Sequence, residues 1–236
     1  MRKFFIFLII QFGLIAIGNS QTLQNDLSLK YLSNNNTNSK KVIILLHGYG
    51  SNESDLFGLQ SFLPNDFLII SARAPQMLKE NSFAWFDISF DKDGVRGFNY
   101  QQALKSRLTL AKFIDEIAVK YKIAKNDIHL IGFSQGAIMS YGIAFHYPEK
   151  IKGIAALSGR ILDEDKQFQL SDKHKNIRFI ISHGTNDAVI KIEQGRNANN
   201  YLKNLGLKVQ FFEYEMGHQI NNDVLLKIKN WLSLNY

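Results

Sequence analysis

Ser134 stands at the centre of Gly132-Phe133-Ser134-Gln135-Gly136, between an apolar run from Ile128 to Ile131 and a helix-patterned run from Ala137 to Phe145. A strand that ends in a serine and turns at once into a helix is a nucleophile elbow, which holds the hydroxyl exposed above the sheet in a strained turn. Gly132 and Gly136 let strand and helix approach without a Cβ clash. Glycine is common, at about 7% of typical sequences, so the pentapeptide alone is a weak signal. Its weight comes from partners. A serine hydroxyl is a poor nucleophile without a base in hydrogen-bond reach. Of six histidines, His218 follows the last apolar run after Gly217 and precedes a final helix, which suits a base. His129 begins a strand, at its wrong end. His146 is near a helix end and His174 in a polar stretch. His47 and His183 precede glycines at strand ends and read as loop-orienting.

The base in turn needs a carboxylate to set its tautomer and stabilise the imidazolium. Asp187, in His183-Gly184-Thr185-Asn186-Asp187, is the first choice, and Asp163, Glu164 and Asp165 compete because they follow another strand end. The order serine, acid, histidine is that of the triad on doubly wound α/β scaffolds. An oxyanion formed at Ser134 requires two donors. The N–H of Gln135, opening the helix, supplies one, and the N–H of Tyr49 in His47-Gly48-Tyr49-Gly50 supplies the other. The same glycines lack the spacing and lysine of a phosphate-cradling P-loop.

Elements that position these groups follow in regular alternation. Strand character appears at Leu27–Leu32, Val42–Leu46, Leu68–Ser71, Ile128–Ile131, Ile154–Leu157, Ile177–Ser182 and Val209–Tyr214. Helical patterning appears at Ser54–Phe62, Gln102–Tyr121, Ala137–Phe145, Ile192–Leu205 and Val224–Leu234. Phe83 to Asp87 is an aromatic cluster, and residues 91–94 read as a loop. Runs apolar at every position fit strands covered on both faces. The alternation predicts a mostly parallel central sheet with helices on both faces. The stretch from Leu162 to Asn176 leaves little room for a large lid. Ligands of open α/β sheets bind beyond the carboxyl ends of the strands, where Tyr49, Ser134, Asp187 and His218 all fall.

At these residues the chain resembles the phospholipase/carboxylesterase family of α/β hydrolases, which includes the acyl-protein thioesterases. The resemblance is carried by residues 47–52, Trp85-Phe86-Asp87, the pentapeptide with its glutamine after the serine, residues 183–187 and Gly217-His218. It runs from about Lys41 to the C-terminus. It implies an α/β-hydrolase fold and a carboxylesterase-type serine hydrolase, with Ser134, Asp187 and His218 as catalytic residues and Tyr49 and Gln135 as oxyanion donors. It also implies that Trp85 and Phe86 lie near an acyl-binding groove. The expected substrates are small or lipid-like esters cleaved through an acyl-enzyme. Thioesters, lysophospholipids, acyl transfer to an alcohol, and a non-catalytic binding module remain alternatives. The chain departs from many members in having Ala137 where they carry a further glycine.

The totals agree with a single catalytic domain. The chain has 236 residues, 45% hydrophobic and 21% charged, with a formal net charge of +7. Its lysines are scattered rather than interleaved with aromatics, so no nucleic-acid partner is expected. It has no cysteine, which excludes disulfides and a thiol nucleophile. No metal-ligand spacing or nucleotide fingerprint appears, so no metal or cofactor is expected. Residues 1–20 read as a secretory signal: Arg2 and Lys3, an apolar run from Phe4 to Ile17, and small residues Gly18 and Ser20 before a cleavage site. Residues 21–40 then form an N-terminal strand and polar loop, and residues 41–236 the catalytic domain. The expectation is an exported protein without a stable membrane anchor once the signal is removed; oligomeric state is left open.

Overall fold

The computed structural model describes residues 22–90 and 96–233; the expected signal segment lies outside them. In chain order the first elements are β1 (Tyr31–Ser33), β2 (Val42–Leu46), α1 (Glu53–Phe57) and β3 (Leu68–Ala72). Two small hairpins follow, β4 (Gln76–Lys79) with β5 (Ser82–Ala84) and β6 (Ile88–Phe90) with β7 (Arg96–Phe98). Then come α2 (Tyr100–Tyr121), β8 (Ile128–Phe133), α3 (Gln135–His146) and β9 (Gly153–Leu157). The chain closes with α4 (Asp172–Lys175), β10 (Arg178–Gly184), α5 (Ile192–Asn204), β11 (Lys208–Tyr214) and α6 (Asn222–Ser233).

Seven strands form one sheet in the order β1-β3-β2-β8-β9-β10-β11. Only β1 runs antiparallel to its neighbour; the other pairs are parallel. Every residue of β2 and β9 is buried, because helices cover both faces. Alternation along β2 divides the two layers. Ile44 and Leu46 face a core shared with Leu110, Phe113 and Ile114 of α2 and Leu202 of α5. Ile43 and Leu45 face one shared with Leu56 of α1 and Val224, Ile228 and Trp231 of α6. Full burial of each such side chain contributes roughly 1.5–3 kcal/mol. α3 is buried from Gln135 to Phe145, and its sequence is accordingly apolar almost all round. This is the α/β-hydrolase architecture, and residues 162–176 hold only a short helix and turns rather than a large lid.

Three local expectations change. The stretch read as a strand at 27–32 pairs only from Tyr31, because Ser28 N–H donates to Glu116 Oε2 of α2 at 2.7 Å and turns that segment away. The helix expected over 54–62 breaks into α1 and a 3-10 turn at Gly58, where glycine weakens the helix and Pro64 cannot extend it. The aromatic cluster at 83–87 is built partly into a hairpin, with Asn81 in the left-handed region at φ 57° making its turn. No helix among the described residues is long and apolar enough to cross a membrane.

Candidate active site

Ser134 links β8 to α3 with φ 54° and ψ −114°, a conformation that costs an L-residue about 1–3 kcal/mol. Surrounding contacts impose it. Ser134 N–H donates to Leu157 O at 2.8 Å, while its own carbonyl accepts from Ala137 at 3.0 Å and Ile138 at 3.2 Å. A Cβ on Gly136 would fall 1.9 Å from Leu46 O, and one on Gly132 2.3 Å from Gly136 O. Both positions therefore require glycine, and the helix start is drawn down onto the ends of β2 and β8.

The loop after β2 lies against the same serine: a Cβ at Gly48 would meet Ser134 Cβ at 3.3 Å. Its shape is fixed by a chain of hydrogen bonds. His47 Nδ1–H donates to Gly48 O at 2.8 Å, and His47 Nε2 accepts from Ala74 N–H at 3.1 Å. Those partners fix the neutral tautomer, and burial lowers the pKa of this ring. Gly50, at φ 80°, donates to Phe83 O at 2.9 Å. The N–H groups of Tyr49 and Gln135 have no acceptor among the described residues, which leaves two donors free beside Ser134.

Trp85 and Phe86, expected near a substrate groove, are buried at 0% and 2% exposure. Their rings belong to the core, and their visible work is to couple the two donor segments. Gln135 Oε1 accepts from Trp85 N–H at 2.8 Å, and Gln135 Nε2 donates to Phe86 O at 2.6 Å. Trp85 Nε1–H donates to His47 O at 3.0 Å. The glutamine after the serine thus ties α3, through Trp85, to the loop bearing Tyr49. This role was not read from the sequence; the uncharged, two-ended amide at that position was the available signal.

Asp187 follows β10 with its side chain fully buried. Its Oδ1 accepts from Val189 and Ile190 N–H, both at 2.8 Å. Its Oδ2 accepts from His218 Nδ1–H at 2.7 Å and lies 3.4 Å from His183 Nε2. Burial pushes this carboxyl's pKa upward, but hydrogen bonds from His183 and His218 outweigh it and hold the group far below the usual carboxylate range. His183 Nε2–H also donates to Ile190 O at 2.7 Å, so this buried ring is a brace. His218 is the partly exposed one, and its ring lies tilted against that of Phe133, the residue before Ser134, with centroids 4.8 Å apart. Among the described residues no hydrogen bond yet joins Ser134 Oγ to His218; such links are often long before substrate binds.

Two of the competing acids and two of the other histidines are occupied elsewhere. Asp163 is exposed and paired with Lys166 at 2.6 Å. Asp165 is buried in an ion pair with Arg107. His129 sits at the far end of the sheet, edge-on to Trp231 at 5.3 Å, and burial pushes its pKa down to about 3. His174 caps α4 with Ser171.

A family model described as Phospholipase/Carboxylesterase matches residues 30–236. Acyl-protein thioesterase 1 of Candida albicans is 32% identical over 222 residues, covering 83% of this chain and 94% of that protein. The Bacillus cereus carboxylesterase structure superposes with a TM-score of 0.75 at 26% identity, covering 88% of this chain and 95% of the other. A carboxylesterase from Mesorhizobium loti gives a TM-score of 0.78 at 23% identity, covering 90% and 98%.

Proposed function

Because this chain belongs to the phospholipase/carboxylesterase family of α/β hydrolases, we propose that it cleaves carboxylic esters through an acyl-enzyme on Ser134. His218 Nε2 takes the Ser134 proton as Oγ bonds to the carbonyl carbon. The oxyanion so formed accepts from the N–H groups of Tyr49 and Gln135, while Asp187 stabilises the imidazolium. The C–O bond then breaks, and the leaving alkoxide receives the proton from His218. Water attacks the acyl-enzyme by the same route, releasing the acid and restoring Ser134. The observation carrying this reading is the 2.7 Å Asp187–His218 pair, its acid end held by backbone N–H groups and its base end against the elbow.

The test is a pre-steady-state burst with 4-nitrophenyl butyrate. A burst near one equivalent of nitrophenol, absent in Ser134→Ala, supports the scheme. A linear onset in wild type, with Ser134→Ala equally active, would overturn it. Thioesters are a second substrate class for the same chemistry, favoured by the thioesterase relative; matched oxygen esters and thioesters of one acyl chain decide between them. We also read the apolar start of the chain, residues 4–17, as an export signal, which rests on composition alone. Intact mass of the natively produced protein tests it: loss of residues 1–20 supports export, and their retention contradicts cleavage.

A further inference from the structure

A polar cavity of about 190 Å³ lies between the segment after β9 and the first turns of α5, lined by Arg160, Asp163, Lys166, Gln194 and Asn197. Such a volume is below the roughly 300–1,000 Å³ of pockets for drug-sized ligands and suits a small polar group. Arg160 distinguishes it. Arg73, Arg107 and Arg196 each pair with a carboxylate, on Glu53, Asp165 and Glu213. Arg160 forms no salt bridge among the described residues, and its buried Nε has no acceptor. Asp163, the exposed acid in the lining, pairs with Lys166 at 2.6 Å and feels Arg160 only at longer range, without a salt bridge to it.

The backbone of this residue lies near Ser134, and its guanidinium lies over an aromatic ring. Along the chain, Arg160 follows Gly159, where a Cβ would lie 3.3 Å from Ser134 O. Across space, its Cζ lies over the Phe98 ring, 5.2 Å from the centroid, and that ring meets Phe86 edge-on at 6.0 Å. Phe86 O in turn accepts from Gln135. A planar fork of donors without a salt-bridged carboxylate matches a carboxylate in geometry as well as charge.

We propose that Arg160 and this cavity form an anion subsite, so that the preferred esters carry a carboxylate close to the scissile bond. The proposal rests on the hydrolase reading of Ser134, and its test separates the two. Mono-4-nitrophenyl glutarate and 4-nitrophenyl pentanoate differ in little but the terminal charge. The ratio of their kcat/KM values, anionic over neutral, is measured at 0.15 M salt for wild type, Arg160→Gln, Arg160→Lys and Lys229→Gln. The subsite predicts that Arg160→Gln lowers the ratio about ten- to a hundredfold, that Arg160→Lys retains part of it, and that Lys229→Gln, an equal loss of charge on α6, leaves it within twofold. An unchanged ratio in Arg160→Gln, or an equal fall in Lys229→Gln, overturns the subsite. If wild type cleaves neither ester, the hydrolase reading fails, and calorimetric titration with glutarate decides the subsite alone. Binding weakened at least about tenfold in Arg160→Gln supports it; equal or undetectable binding in both proteins refutes it.

Discussion

The segments after β9 and β10 each bury an aspartate, and they neutralise it by opposite means. Asp165 meets the guanidinium of Arg107, reaching across from α2. Asp187 meets backbone N–H groups of Val189 and Ile190 and the imidazoles of His183 and His218. A permanent cation cancels the charge of its partner and leaves nothing for chemistry. Dipolar donors solvate a carboxylate while preserving its charge, so that charge would remain to stabilise an imidazolium in the proposed proton transfer to His218. Burial alone therefore does not single out the acid of the proposed triad; the kind of partner does.

The largest effect expected from this difference falls on Asp187. Asp187→Asn keeps the size of the side chain but presents the wrong partner to His218, and kcat should fall about 10⁴-fold, as for a triad left with the wrong tautomer. Steady-state kinetics checks it, and near-normal turnover would move the acid elsewhere. Asp165→Asn should do the reverse. It leaves Arg107 buried and unpaired, a loss of about 3–5 kcal/mol in urea unfolding, while turnover per folded molecule stays within a fewfold. A drop in turnover like that of Asp187→Asn would erase the contrast. Replacing both partners, Arg107→Met with Asp165→Leu, should recover most of that stability, since well-packed apolar pairs often equal buried ion pairs; stability as low as in Asp165→Asn alone would show that the loss did not come from a stranded charge.

A smaller effect concerns acid. The folded pKa of Asp187 lies below its unfolded value of about 3.9. The stabilisation from its charge is thus complete above roughly pH 4 and is lost as pH falls through the folded value. Unfolding of wild type and Asp187→Asn at pH 6, 4 and 3 should show the gap between them narrowing in acid. A gap that widens there would mean that the carboxyl is not held ionised by its cradle.

Much of the fold was legible in the sequence. The chain order of Ser134, Asp187 and His218, each following a strand-like run, specified the parallel sheet and placed all three residues beyond the carboxyl ends of its strands. Gly132 and Gly136 were readable because the lack of a Cβ has one physical use in a tight strand–helix turn. Other features were hidden because they depend on distant partners. Trp85 and Phe86 carry no mark of burial in their own segment; it follows from Gln135 and Ser106, both of which bond the Trp85 backbone. The paired hairpins escaped notice because their strands are only three or four residues long, too short for alternation to stand out. The donors that cradle Asp187 are main-chain N–H groups, which any sequence would supply.

Every step of the proposed reaction requires Ser134 to be an activated nucleophile. Intact-mass measurement after treatment with a fluorophosphonate tests that most directly. One covalent adduct on wild type, mapped to Ser134 and absent from both Ser134→Ala and His218→Ala over the same interval, is the predicted result. An unmodified wild-type protein, or an adduct that persists in Ser134→Ala, would contradict it.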